Sequence, residues 1–115
     1  MSAEAAVVHR LMVSSEALEI MAEAIKVLTL QKGSFQRLKD VITEALDTID
    51  PSNTEMPFTF EQAVPLDGGI PIHLRLSKDR NDRLDVFRNK LCGRIGDHCG
   101  VRETVIFCAM KIAKE

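Results

Sequence analysis

The chain has 115 residues, 45% of them hydrophobic, with 15 Lys+Arg against 17 Asp+Glu for a formal net charge of −2. That length and apolar content suit one packed domain and exclude wholesale disorder, while the charge balance excludes a polybasic, histone-like nucleic-acid binder. Charge is nevertheless segregated, with 5 basic and 8 acidic side chains in residues 1–50, 0 and 3 in residues 51–69, and 10 and 6 in residues 70–115.

Val7 to Val13 is short and rich in β-branched residues and ends at Ser14-Ser15, which reads as a strand feeding a helix cap. The helix places Leu18, Met21, Ala22, Ile25, Leu28 and Thr29 on one stripe and is expected to run to about Leu30, stopped by Lys32-Gly33. Ser34 is then expected to cap a second helix with Leu38, Val41, Ile42, Ala45, Leu46 and Ile49 on its apolar face. Asp50-Pro51 ends that unit. Residues 51–69 hold three of the four prolines and read as a linker, within which Phe58-Thr59-Phe60 is either a short strand or a flap over the core.

The same order recurs after the linker. Ile70 to Leu76 alternates with period 2, giving a strand over 71–76, and Ser77 follows as a cap. A helix carrying Leu84, Phe87, Leu91 and Ile95 is expected to break through Gly93, Gly96 and Gly100, before a last helix with Val105, Cys108, Ala109, Ile112 and Ala113. Ser14 aligns with Ser77 at an offset of 63 and Gly33 with Gly100 at 67, which implies a four-residue insertion in the second inter-helix turn. Any two amphipathic hairpins can be aligned in this way; the shared strand and both caps favour a repeat.

The longest apolar run, Val105 to Met110, falls well short of the roughly 20 residues of a membrane helix, and Met1-Ser2-Ala3-Glu4 lacks the basic start of a signal peptide. A cytoplasmic location without membrane contact is expected. Cys92, Cys99 and Cys108 are odd in number and form no CxxC pair, which suits reduced thiols. Without Trp or Tyr, and with five Phe, the chain is a poor platform for stacking single-stranded bases.

A strand, a helix, a Gly-containing turn and a second helix within about 45 residues, present at 7–50 and again at 70–115, resemble the ribbon-helix-helix family of DNA-binding proteins. The resemblance implies a mainly α fold with a two-stranded antiparallel β-ribbon, residues 1–50 and 70–115 acting as two units of one tandem pseudo-dimer. It also implies that the ribbon enters the major groove of double-stranded DNA, as in a transcriptional repressor or an accessory factor of plasmid conjugation. Physical reasoning agrees: a lone strand has no edge partner unless the other half supplies one, and a linker of about 19 residues reaches roughly 60 Å.

Period 2 puts Ile72, Leu74 and Leu76 on one face and His73 and Arg75 on the other; in the first strand Leu11 and Val13 oppose Arg10 and Met12. Arg10, Met12, His73 and Arg75 are therefore the candidate base-reading set, because Arg can donate twice to guanine, His can donate or accept, and Met can contact a thymine methyl. The alternative is an ordinary solvated strand face. The resemblance further implies phosphate anchoring at the starts of the second helices, through Ser34 in one half and Gly100, Val101 and Arg102 in the other, with charge added by Lys32, Arg37, Lys78, Arg80 and Arg94. Asp79, Asp82 and Glu103 lie close enough in sequence to pair some of these cations. Pro71, the long second turn and the presence of only two ribbon arginines depart from the family pattern.

Cys92, His98 and Cys99 have a C-x5-H-C spacing that fits no common zinc pattern, and Gly93 to Gly96 matches a lone GXXG clamp without the sheet such a domain needs. No catalytic motif occurs, and neither enzymatic activity nor a metal or cofactor is expected. Two function classes follow: a DNA-binding regulator, able to self-associate on DNA, or a small helical interaction module, such as an antitoxin or antiactivator, that grips a protein partner through the acidic first half.

Overall fold

A computed structural model describes residues 6–52, 68–95 and 100–114. Val7–Val13 forms strand β1 and Ile70–Leu76 forms strand β2. The two pair antiparallel, Val7 opposite Leu76, Arg10 opposite His73 and Val13 opposite Ile70. Among the described residues this ribbon is the one sheet, and the rest is mainly helical: α1 (Ser15–Lys32), α2 (Leu38–Thr48), α3 (Lys78–Ile95) and α4 (Val101–Ala113). The expected pairing of strand 7–13 with strand 71–76 is present, β2 starting one residue earlier.

Alternation decides which face of the ribbon is covered. Val13, Leu74 and Leu76 are buried and Leu11 is half-buried beneath it, whereas Val8, Arg10, Met12, Pro71, His73 and Arg75 are exposed. His9 also lies on the covered side, its Nε2 2.6 Å from Asn81 Oδ1, and so ties β1 to α3.

Both serines after the strands act as helix caps. Ser14 Oγ accepts from the Ala17 N–H at 3.0 Å and Ser77 Oγ accepts from the Arg80 N–H at 3.2 Å, each satisfying a first-turn donor with no intrahelical partner. α1 ends at Gly33, whose φ of 71° is left-handed and whose N–H donates to the Thr29 carbonyl at 2.9 Å.

The start of α2 departs from expectation. Ser34 is not its cap: its hydroxyl and carbonyl both accept from the Gln36 side chain, and the helix begins only after Arg37. The reason is a carboxylate: Asp40 Oδ2 accepts from the Arg37 N–H at 2.8 Å, and Gln36 N–H is taken by Thr29 Oγ1. α4 starts in the same way, with Glu103 Oε1 accepting from the Gly100 N–H at 2.7 Å.

This corrects the internal alignment. Val7 and Ile70, Ser15 and Lys78, and Leu38 and Val101 each stand 63 residues apart, so the strand and both helices of each half start in one register and no four-residue insertion exists. α3 also continues through Gly93 to Ile95 rather than breaking there. Phe58 to Phe60, His98, Cys99 and most of the 51–69 linker lie outside the described residues, as does the side chain of Arg94.

The core is centred on α4, which buries the consecutive run from Thr104 to Ala109 and then Ile112. α1 packs closely on it and turns Ala17, Met21, Ala24 and Leu28 inward, while Leu18 and Ala22, expected on the buried stripe, are exposed. Small alanines at 17 and 24 allow the close approach. Cys108 is fully buried, as its place between Val105 and Ile112 implies. α2 and α3 lie farther apart and leave a groove of about 530 Å³ bordered by Leu46, Ile49, Val86 and Phe87.

Gly68 leads the chain into β2 against the β1–α1 corner. A Cβ there would overlap the Val13 carbonyl oxygen and Ser14 Cα, both backbone atoms. Gly68→Ala should therefore shift the ribbon entry and destabilise the fold by about 1–3 kcal/mol, the usual range for forced overpacking. Urea unfolding measures it, and an unchanged midpoint would show that the segment is free to move aside.

Candidate nucleic-acid interface

The outer ribbon face brings together all four side chains singled out as base readers. Arg10 and His73 are direct cross-strand partners; Val8 opposes Arg75 at one end and Met12 opposes Pro71 at the other. Directly opposed side chains in an antiparallel pair stand about 4.5–5.5 Å apart, and alternate residues of a strand about 6.8 Å. The four side chains therefore form one patch of two base-pair steps or more in length. Met12 is 43% exposed and Val8 55% exposed, a sizeable apolar surface to leave in water. A two-stranded ribbon fits the roughly 12 Å width of the B-form major groove.

The flanks are built differently. Beside the Arg75 end, a concavity runs between β2 and the start of α2, bordered by Arg37, Lys39, Asp40, His73, Arg75 and Arg80. Arg37 and Lys39 are exposed there. Arg80 is half-buried and donates to Thr43 Oγ1 at 2.7 Å, which fixes α3 to α2. Beside the Met12 end stands the start of α4, where Arg102 Nε donates to Glu103 Oε2 at 2.8 Å and its guanidinium reaches the Met12 carbonyl at 3.5 Å.

These contacts sort the candidate anchors. Gly100 and Val101 stand at a helix start, as expected, and Lys78 opens α3, exposed. Lys32 is paired with Glu44 at 3.2 Å, Arg102 with Glu103, and Ser34 sits in the inter-helix turn rather than at a helix N-terminus. Lys39 was not among the candidates. Its signal was the acidic residue at 40, which, read as the third helical position, moves the cap to Arg37 and puts Lys39 in the first turn.

Burial disfavours the charged form of Glu103, but the Arg102 guanidinium and the Gly100 N–H outweigh it and hold its carboxyl below the ordinary value of 4.5. A carboxyl depressed in the folded state stabilises the fold fully above its unfolded pKa and loses that contribution as pH falls through the folded one. The stability gap between the protein and Glu103→Gln should be constant near neutral pH and narrow below about 4.5. Thermal unfolding across pH 3–7, on the order of one scan per unit, tests this; a gap that widens in acid would contradict it.

Among the described residues, no group of three or more His, Cys, Asp or Glu side chains is placed to hold a metal ion, and no helix is long and apolar enough to cross a membrane. Comparison with family models, with curated proteins and with solved structures found no match to this chain.

Proposed function

We propose that this chain binds duplex DNA as a tandem ribbon-helix-helix protein, its two halves standing in for the two subunits of a dimer and its ribbon lying in the major groove. The observation that carries the reading is the outer ribbon face, where Arg10, Met12, His73 and Arg75 project from paired strands whose other face is core. The constant 63-residue spacing supports the two-unit interpretation. So does the register: Arg10 and His73, 63 residues apart, are also cross-strand partners, the position a two-fold axis through the ribbon would occupy.

The chemistry follows from donor geometry. Arg10 and Arg75 each offer a planar fork to guanine O6 and N7, His73 offers one donor or acceptor, and Met12 offers an apolar contact to a thymine methyl. Arg37, Lys39 and Lys78 hold the adjoining phosphates and set the register of the ribbon on the duplex. A protein that occupies a defined duplex site in this way acts as a repressor or as an assembly factor on transfer DNA; both uses require the same interface.

One feature favours a protein partner instead. Glu16, Glu19 and Glu23 are all exposed on α1 at spacings of three and four residues, and so form an acidic stripe that DNA would repel. The two readings part in a duplex mobility-shift titration at low and moderate salt. DNA binding predicts retardation of duplex at low salt, with log K falling against log salt by about 0.9 per phosphate contact. No retardation at low salt would remove the DNA reading and leave the acidic stripe as the interface.

A further inference from the structure

We infer that the DNA site is asymmetric and that the protein occupies it in one orientation, the Arg75 end of the ribbon over a guanine-bearing half and the Met12 end over a thymine-rich half. The inference rests on the ribbon reading proposed above.

Two identical subunits present the same side chains to both halves of a site, which is why dimers of this kind read palindromes. Here the positions related by the 63-residue spacing differ at every exposed place: Val8 corresponds to Pro71, Arg10 to His73, and Met12 to Arg75. The register distributes those differences along the ribbon. Because Val8 opposes Arg75 and Met12 opposes Pro71, one end holds a guanidinium fork and the other is wholly apolar. A fork matches the two acceptors of guanine; an apolar pair matches the C5-methyl of thymine and leaves guanine acceptors without donors.

The flanks are asymmetric in the same sense, and by an independent set of residues. Arg37, Lys39 and Asp40 correspond to Gly100, Arg102 and Glu103. The Arg75 flank thus has two exposed cations beside one carboxylate. At the Met12 flank the guanidinium of Arg102 is held against Glu103 and the Met12 carbonyl, which cancels its charge locally. Phosphate contacts and guanine readout therefore concentrate at one end, and reversing the protein on its site puts the donors over methyl groups.

Selecting duplexes from a randomised pool with the full chain at about 50 mM salt, then mapping ethylated phosphates that block binding, tests the orientation. The expected consensus is non-palindromic, with its G·C preference in one half and ethylation interference of about tenfold or more on that flank alone. Met12→Arg, which gives both ends the residue found at 75, should add a guanine preference to the second half. A palindromic consensus with equal interference on both flanks overturns the asymmetry while leaving DNA binding intact. Failure to enrich any duplex overturns the ribbon reading itself, and the asymmetry with it.

Discussion

Phe107→Ala is expected to cost about 3–5 kcal/mol of folding free energy, the range for truncating a buried aromatic ring. Phe107 is 1% exposed, its ring centroid lies 6.3 Å from that of Phe87, and Lys111 Nζ sits 5.8 Å from the ring. The side chain therefore joins α4 to α3 at the centre of the molecule, and its loss leaves a cavity between elements that have little other contact. Set against a usual total of about 5–15 kcal/mol, the change removes about a fifth of the folding stability at the least and nearly all of it at the most. Equilibrium urea unfolding reads the loss directly; a cost under about 1 kcal/mol would show that α4 is not the centre of the core.

The second large effect separates reading from anchoring. Arg75→Ala should cost about 1–3 kcal/mol on the preferred duplex and flatten discrimination at the bases it contacts, because the guanine acceptors lose a two-bond partner. Lys39→Ala should instead weaken all duplexes alike and reduce the salt slope by about 1. Lys32→Ala and Arg102→Ala should matter less, since Glu44 and Glu103 already neutralise those cations. Neither Arg75 nor Lys39 is buried, so the folded state should survive both changes. Parallel titrations of specific and scrambled duplex would show the contrast, and equal losses on both duplexes for Arg75→Ala would mean that it holds phosphate rather than base.

Much of the ribbon was legible because strand periodicity is a two-state signal. Once Leu11, Val13, Leu74 and Leu76 were assigned inward, Arg10, Met12, His73 and Arg75 had to face out, and they do. Helix phase is harder to read, because the buried arc of α1 is defined by what packs on it. The exposed Leu18 and the buried Ala17 and Ala24 reflect close contact with α4, in which small side chains serve better than large ones. α4 is buried on several sides, and so its inward residues are a run rather than a stripe. Its Ile106 and Phe107 correspond at the 63-residue spacing to Thr43 and Glu44, which are only half-buried in α2. The halves thus share a plan while dividing the core unequally.

The start of α2 differs from the sequence expectation for a chemical reason. Serine is the stronger cap by residue preference, and Ser34 stood directly after the glycine that ends α1. The turn instead spends Ser34 and Gln36 on each other and lets Asp40 and Glu103 take the N–H groups of Arg37 and Gly100. A carboxylate three residues into each helix was visible at both places, and reading it would have restored the uniform 63-residue spacing.

The central claim is that the outer ribbon face meets duplex DNA, and amide chemical-shift mapping of the isotopically labelled full chain, titrated with a selected duplex at low salt, locates that contact most directly. The account predicts the largest shifts at Val8, Arg10, Met12, His73 and Arg75, with a second group at Arg37 to Lys39 and small changes along α1. Shifts centred on Glu16, Glu19 and Glu23, or a spectrum that duplex DNA leaves unchanged, would contradict it.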